Sequence, residues 1–437
     1  MVRFSGILTR TIQKRWYRPT KNRDNSKRIS LFNCWRQEAN FMVSGFSVEN
    51  YRAFSRRQDI ETRPLTLFFG WNSGGKSAMV RFLPLIAESI LQAGPPIWLA
   101  GDVGRNATWP ELVCKTTARG SLRFSLSWDD MNAEWEVAGD LDGRWQESKS
   151  LVIKRSGQQY SFNGENSSER HTTGLVPWNC EKNRSAETID VLKSRLLGLA
   201  SDIQWISGVR VRPPRVVTYG GGAPSTLRSD GGDAAYHLIA AQLRSTADPL
   251  LEAIGGFFSA LGEQLVLDNP VGGVWRVLLR PAGAPQVDVN LCDTGEGYAQ
   301  VLPVLVALAR ARIGEGPKFL CLEQPELHLH TRAQAELAKQ LVNSAVHSSQ
   351  PRILVETHSE VLLTSVQLAI ANGDISPEMV RVYWVESRTD GTSDAVPVDF
   401  DAQGRPLNSA LVGAFGEAIQ LGQELITKQL EMRKAPL

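Results

Sequence analysis

The stretch Gly70-Trp71-Asn72-Ser73-Gly74-Gly75-Lys76-Ser77 decides the fold. It satisfies G-x-x-x-x-G-K-[ST] in full, between an apolar strand, Pro64–Phe69, and an apolar segment of helical period, Ala78 to Leu91. The glycines Gly70, Gly74 and Gly75 allow a tight backbone turn. Through Asn72, Ser73 and Ala78, the loop and the start of the helix then aim N–H groups at phosphate oxygens. Lys76 is placed to reach the β- and γ-phosphates of a nucleotide, and the Ser77 hydroxyl to ligand Mg²⁺.

Such a loop needs an acid and a sensor delivered by neighbouring strands. Phe319-Leu320-Cys321-Leu322 is four apolar residues ending in Glu323-Gln324-Pro325-Glu326, a buried strand carrying a carboxylate to its C-terminal end, where Glu323 would hold the metal opposite Ser77. Ile353-Leu354-Val355 likewise ends in Glu356-Thr357-His358-Ser359-Glu360, and His358 is placed to hydrogen-bond a γ-phosphate. His328 and His330 lack a third and fourth ligand nearby, so zinc is not expected there.

Around these motifs the last third alternates strand and helix: Trp275–Leu279, the Asp293–Gly297 loop, helix Tyr298–Arg312, strand Lys318–Leu322, helix Thr331–Ser344, strand Ile353–Glu356, helix Leu362–Asn372 and strand Val380–Val385. Between the halves, period-two runs from Ser121 to Phe162, broken by Asp-Gly and Asn-Gly, predict a small antiparallel sheet. Helical patterns follow at Thr188–Leu199 and Ala234–Leu261, with Ser387–Pro397 a loop and Asn408–Leu430 a final helix. The fold class is α/β: a P-loop ATPase head with a small antiparallel β-subdomain and a helical insertion. Its segments are a basic leader (1–41), the N-terminal part of the core (42–120), an insertion (121–270), the C-terminal part of the core (271–400) and a terminal helix (401–437).

Composition narrows the class. At 437 residues with 42% hydrophobic and 22% charged side chains, the chain can bury a large core, which excludes disordered and fibrous classes. Five cysteines, none spaced as a zinc knuckle, fit a reducing cytoplasmic setting. No apolar run approaches the roughly 18 residues of a membrane span. The net charge of +2 hides an asymmetry: residues 1–41 hold ten Lys and Arg against Asp24 and Glu38, leaving the remainder at −6. The leader reads as an arm for nucleic acid or acidic lipid, as a transit peptide, or as an extension upstream of a working chain that begins near Met42.

The order of motifs resembles the ABC-type ATPases of the RecF, structural-maintenance-of-chromosomes (SMC) and OLD (overcoming lysogenization defect) group, and in particular OLD-like AAA-family ATPases of antiphage defence. The resemblance rests on Asn50-Tyr51-Arg52-Ala53-Phe54, Gly70–Ser77, Asp293-Thr294-Gly295-Glu296-Gly297-Tyr298-Ala299-Gln300, Glu323–His330 and Glu356–Glu360. It implies a head-to-tail homodimer with ATP and Mg²⁺ at the interface. Lys76, Ser77, Glu323 and His358 match the P-loop lysine and serine, the metal acid and the switch histidine. Gly295 and Gly297 match the signature loop that contacts the other subunit's nucleotide, Arg52 matches an arginine near the phosphates, and His330 falls at the D-loop acid.

Two departures stand out. Ala299 replaces a usual serine, and Gln324 occupies the place of the catalytic glutamate; an amide orients water but cannot take its proton, so Glu326 is the candidate substitute. About 80 residues follow His358, too few for the Toprim nuclease domain of OLD enzymes, so a separately encoded effector, a nuclease or toxin, is the expected partner. The resulting reading is a slowly hydrolysing ATP switch that controls that effector. A DNA-engaging ATPase of repair or recombination and an ATP-binding scaffold without turnover are the alternatives. Arg210, Arg212, Arg215 and Arg228 flank a glycine-rich segment and suit either a nucleic-acid contact or a solvated loop.

Overall fold

The computed structural model describes residues 42–92, 94–117, 120–140, 142, 145–163, 174–176, 186–411 and 423–426. The leader 1–41 lies outside them. Of the helix expected over 408–430, Ser409–Leu411 forms a 3-10 turn and 423–426 is helical, while the rest lies outside the described residues.

In chain order, strands β1 (Gly45–Glu49), β2 (Gln58–Glu61) and β3 (Leu65–Gly70) lead into helix α1 (Lys76–Leu91) and the short α2 (Trp109–Leu112). Strands β4 (Ser121–Trp128), β5 (Met131–Gly139), β6 (Gln146–Arg155) and β7 (Gln158–Asn163) precede α3 (Ala186–Asp202), β8 (Ile203–Ile206) and β9 (Val217–Thr218). Helices α4 (Ala234–Arg244) and α5 (Pro249–Ala260) lead to β10 (Glu263–Val271), β11 (Val274–Pro281) and β12 (Val289–Asn290). Last come α6 (Glu296–Ile313), β13 (Phe319–Glu323), α7 (Thr331–Ala345), β14 (Arg352–Thr357), α8 (Glu360–Ala371), β15 (Val380–Ser387) and β16 (Ser393–Val398).

The central sheet runs β16-β15-β3-β14-β13-β8, parallel throughout except for the β15/β16 hairpin at its edge. Buried on both faces, its strands are continuous apolar runs, as parallel strands must be. Side chains alternate between the faces. Leu65, Leu67, Leu320, Leu322, Ile353 and Val355 enter one core with α4 to α8, while Phe68, Phe319, Cys321 and Leu354 enter a second core with α1, α3 and the antiparallel sheet.

That antiparallel sheet has the order β2-β1-β4-β5-β6-β7. It extends beyond the 121–162 strands expected from sequence, because β1 pairs with β4 and draws β2 with it. Aromatic contacts run from its buried face onto α1: Phe46 stacks on Phe82 at 5.2 Å, Phe82 meets Phe124 edge-on at 5.5 Å, and Phe124 stacks on Trp135 at 5.1 Å. Each such pair adds about 0.5–1.5 kcal/mol beyond area burial. Together they fix the helix that carries Lys76 and Ser77.

Four expectations need correction. The helix expected over Ala234–Leu261 is two helices, because Asp248 accepts from the Leu250 N–H at 2.9 Å as an N-cap and Pro249 starts a new helix. Residues 203–206, placed with the insertion, form edge strand β8 of the central sheet, parallel to β13; four residues are too few to show a period. The Ser387–Pro397 loop contains most of β16, an edge strand that tolerates Pro397. Strand β10 was not anticipated, since its half-exposed residues alternate poorly.

Candidate functional site

The P-loop forms where β3 ends and α1 begins. Gly75 has φ +101°, and a Cβ there would meet the Phe54 ring at 2.8 Å, so both backbone and packing demand glycine. Lys76, almost fully buried, donates from Nζ to the Trp71 carbonyl at 2.5 Å, holding its ammonium inside the loop's own curve.

This loop is one wall of a cavity of about 960 Å³. Arg52, Asn72, Ser73, Gly75, Lys76, Ser77, Ala78, Gln324 and His358 all line it, so residues separated by up to 306 positions converge there. Residues 103–107, 111 and 113–116 also line it. Its lining cations are Arg52, Lys76, Arg81, Arg105 and Lys115, against the carboxylates of Glu111 and Glu356. A cleft with that surplus, at the N-terminus of a 16-residue helix, suits a polyanion such as a triphosphate.

Several placements differ from the sequence reading. Ser77 was expected to work with Glu323, but its hydroxyl donates to Glu356 Oε1 at 2.7 Å. The Glu323 carboxylate is held by both arms of the Arg81 guanidinium, by the Trp205 indole N–H at 2.7 Å and by the Gly208 N–H at 3.4 Å. Glu326, the candidate substitute base, does not line the cavity. It is buried behind the site, where its Oε1 accepts from Thr357 Oγ1 at 2.7 Å and from the His358 N–H at 3.0 Å; burial pushes its carboxyl above the usual range. Its position makes it a support for the His358 turn. His330 accepts from the Arg332 N–H as the N-cap of α7. Gly70 closes β3, and Gly74 sits in the loop between them.

The signature residues lie apart from this cavity, at the N-terminus of α6, where Gly295 is the N-cap. A Cβ on Gly297 would stand 2.5 Å from the His328 carbonyl, so the α6 start packs directly on the turn after β13. Asp293 forms a bidentate pair with Arg215 at 2.6 Å, and Glu296 pairs with Arg212. Arg210, by contrast, is no solvated loop residue. It is buried and donates to the carbonyls of Ser207, Gln300, Glu323 and Gln324, tying α6 to the end of β13.

Glu356, Arg81, Arg105, Trp205 and Arg210 were therefore missed as site residues. Arg81 was legible: it lies four positions after Ser77, one helical turn along the same face. Arg105 sits in a loop without periodicity and carried no such signal.

Magnesium takes hard oxygen ligands and keeps waters and substrate phosphates in its shell. The Ser77 hydroxyl and the carboxylates of Glu356 and Glu323 fit that chemistry. Among the described residues no group of three or more His, Cys, Asp or Glu is placed to hold a metal ion.

Burial brings the Lys76 ammonium down to about 8, partly opposed by Glu356 and Glu326, and burial with nearby Lys76 lowers His358. Phosphate favours protonated Lys76, so nucleotide binding takes up a proton once the pH exceeds about 8. Affinity should then fall with rising pH, approaching tenfold per unit. Titrations from pH 7 to 9.5 should show this fall, and Lys76→Ala should flatten it.

Residues 285–364, spanning the signature, β13, α7, β14 and the first turn of α8, match the family model described as "AAA domain, putative AbiEii toxin, Type IV TA system". The likeness to an AAA domain is confined to this region. No curated protein matches the chain. Among solved structures it is similar to an Smc head bound to the C-winged helix domain of ScpA, with 12% identity, a TM-score of 0.48, and 82% of this chain and 98% of that one covered. It is also similar to the SMC head domain from Thermotoga maritima (13% identity, TM-score 0.41, 82% and 98% covered). A third is the Smc head of Pyrococcus furiosus with an extended coiled coil, bound to the C-terminal domain of ScpA (11%, 0.46, 88% and 99%). Among the described residues no helix is long and apolar enough to cross a membrane.

Proposed function

We propose that this chain binds Mg·ATP in the P-loop cavity, hydrolyses it slowly, and acts as an ATP-held homodimer that switches a separately encoded effector, a nuclease or toxin, in antiphage defence. The observation that carries the reading is the set of side chains facing the cavity. Lys76, Arg52 and Arg105 supply charge for the phosphates, while Gln324 stands where a water-activating acid would be required. Glu326 does not line the cavity, and both lining acids are engaged, Glu356 by the Ser77 hydroxyl and Glu111 by the Thr108 N–H and hydroxyl, so neither is poised to accept a proton from water at the P-loop. ATP would persist, and a persistent nucleotide is what a switch needs.

Gly295, exposed at the start of α6 and away from its own chain's cavity, suits contact with nucleotide on a second copy, while the buried Gly297 seats that start on the turn after β13.

Steady-state turnover and solution mass of the full chain test this reading together. Turnover should fall well below the roughly 1–10³ s⁻¹ typical of enzymes, and ATP should double the mass. Fast turnover by an unchanged monomer would contradict it.

A further inference from the structure

Two acids end adjacent strands beside the P-loop, and we propose that Glu356, not Glu323, joins Ser77 as the protein ligand of the Mg²⁺ that accompanies ATP. The inference rests on the reading of the cavity as an ATP site. Strands β13 and β14 pair in parallel with Glu323 opposite Glu356, and β14 also pairs with β3, the strand that becomes the P-loop. Glu356 therefore sits one strand nearer the loop, lines the cavity, and accepts the Ser77 hydroxyl at 2.7 Å. These two oxygens would be free to hold a cation once the hydroxyl turned its proton aside.

Glu323 is differently committed. Its two oxygens already receive the Arg81 guanidinium, the Trp205 indole and the Gly208 N–H, and Arg81 cancels its charge from the cavity side. A metal on Glu323 would have to strip a bidentate arginine from a buried carboxylate. A metal on Glu356 would break one hydrogen bond, the one from the Ser77 hydroxyl, which keeps its proton. Mg²⁺ is commonly held by one or two protein oxygens with phosphates and water completing its shell, so Ser77 and Glu356 suffice. Glu323 then acts as a positioning residue, fixing Arg81 at the cavity wall.

The test uses Mn²⁺ as a paramagnetic substitute for Mg²⁺, with the full chain and a non-hydrolysable ATP analogue, and reads bound metal by electron paramagnetic resonance. Glu356→Gln should weaken Mn²⁺ binding about tenfold or more, with analogue affinity in EDTA no weaker than the parent's, because the variant removes a carboxylate that repels phosphate. Glu323→Gln should cause the smaller loss. If Glu356→Gln fails to fold by circular dichroism, Glu356→Asp, which retracts the carboxylate, should show the same ordering against Glu323→Gln. Equal or greater loss of Mn²⁺ in Glu323→Gln overturns the assignment while leaving the ATP site intact. A parent chain that binds no analogue even without metal overturns the ATP reading and this inference with it.

Discussion

Replacing Lys76 with alanine is expected to weaken ATP binding about 10²- to 10⁴-fold while leaving the chain folded. In the free protein the ammonium makes one hydrogen bond, to the Trp71 carbonyl, so its loss costs the fold on the order of 1 kcal/mol. Toward a triphosphate it would make two or more charge-assisted bonds inside a buried loop, each about 1.5–3 kcal/mol. At about 1.4 kcal/mol per decade, that sum gives the stated loss. Isothermal titration with ATP, alongside a thermal melt, separates the two effects. A variant that retains parental affinity would mean that the cavity binds nucleotide without its P-loop lysine, or not at all.

Arg210→Ala should instead lower stability, by about 3–5 kcal/mol. The side chain is 5% exposed, burial brings its guanidinium down to about 10, and it stays charged at neutral pH. Its removal takes the guanidinium donors from the Ser207, Gln300, Glu323 and Gln324 carbonyls, of which Gln324 keeps the Leu327 N–H. Lysine should rescue poorly, because one ammonium cannot copy the planar fork that reaches across loop, helix and strand end at once. Because α6 carries the signature glycines and the turn after β13 carries Gln324, the same change should also loosen the link between those two parts. Thermal unfolding of the full chain measures the first effect; an unchanged melting temperature would remove Arg210 from its structural role.

What could be read from sequence followed the range of the signal. The P-loop and the strands around it were legible because each is a local pattern: eight fixed residues in one case, runs such as Leu320–Leu322 and Ile353–Val355 in the others. The break at Asp248-Pro249 was local too, and was overridden by the stronger helical period on either side. The site was legible where a motif named the residue, as with Lys76, Ser77, Gln324 and His358, all of which line one cavity. It was not legible where the outcome depended on strand register. Which of Glu323, Glu326 and Glu356 faces the loop is set by the β3, β14, β13 order, and spacing along the chain contains no trace of that order. Arg210 shows the same limit, since its four carbonyl partners come from three separate segments.

Equilibrium titration of the full chain with ATP and Mg²⁺ at pH 7 tests the central claim most directly, by counting nucleotide bound per chain. The cavity at the end of β3 predicts saturable binding of one ATP per chain, lost in Lys76→Ala. Absence of saturable binding, or equal binding by the parent and Lys76→Ala, would contradict it.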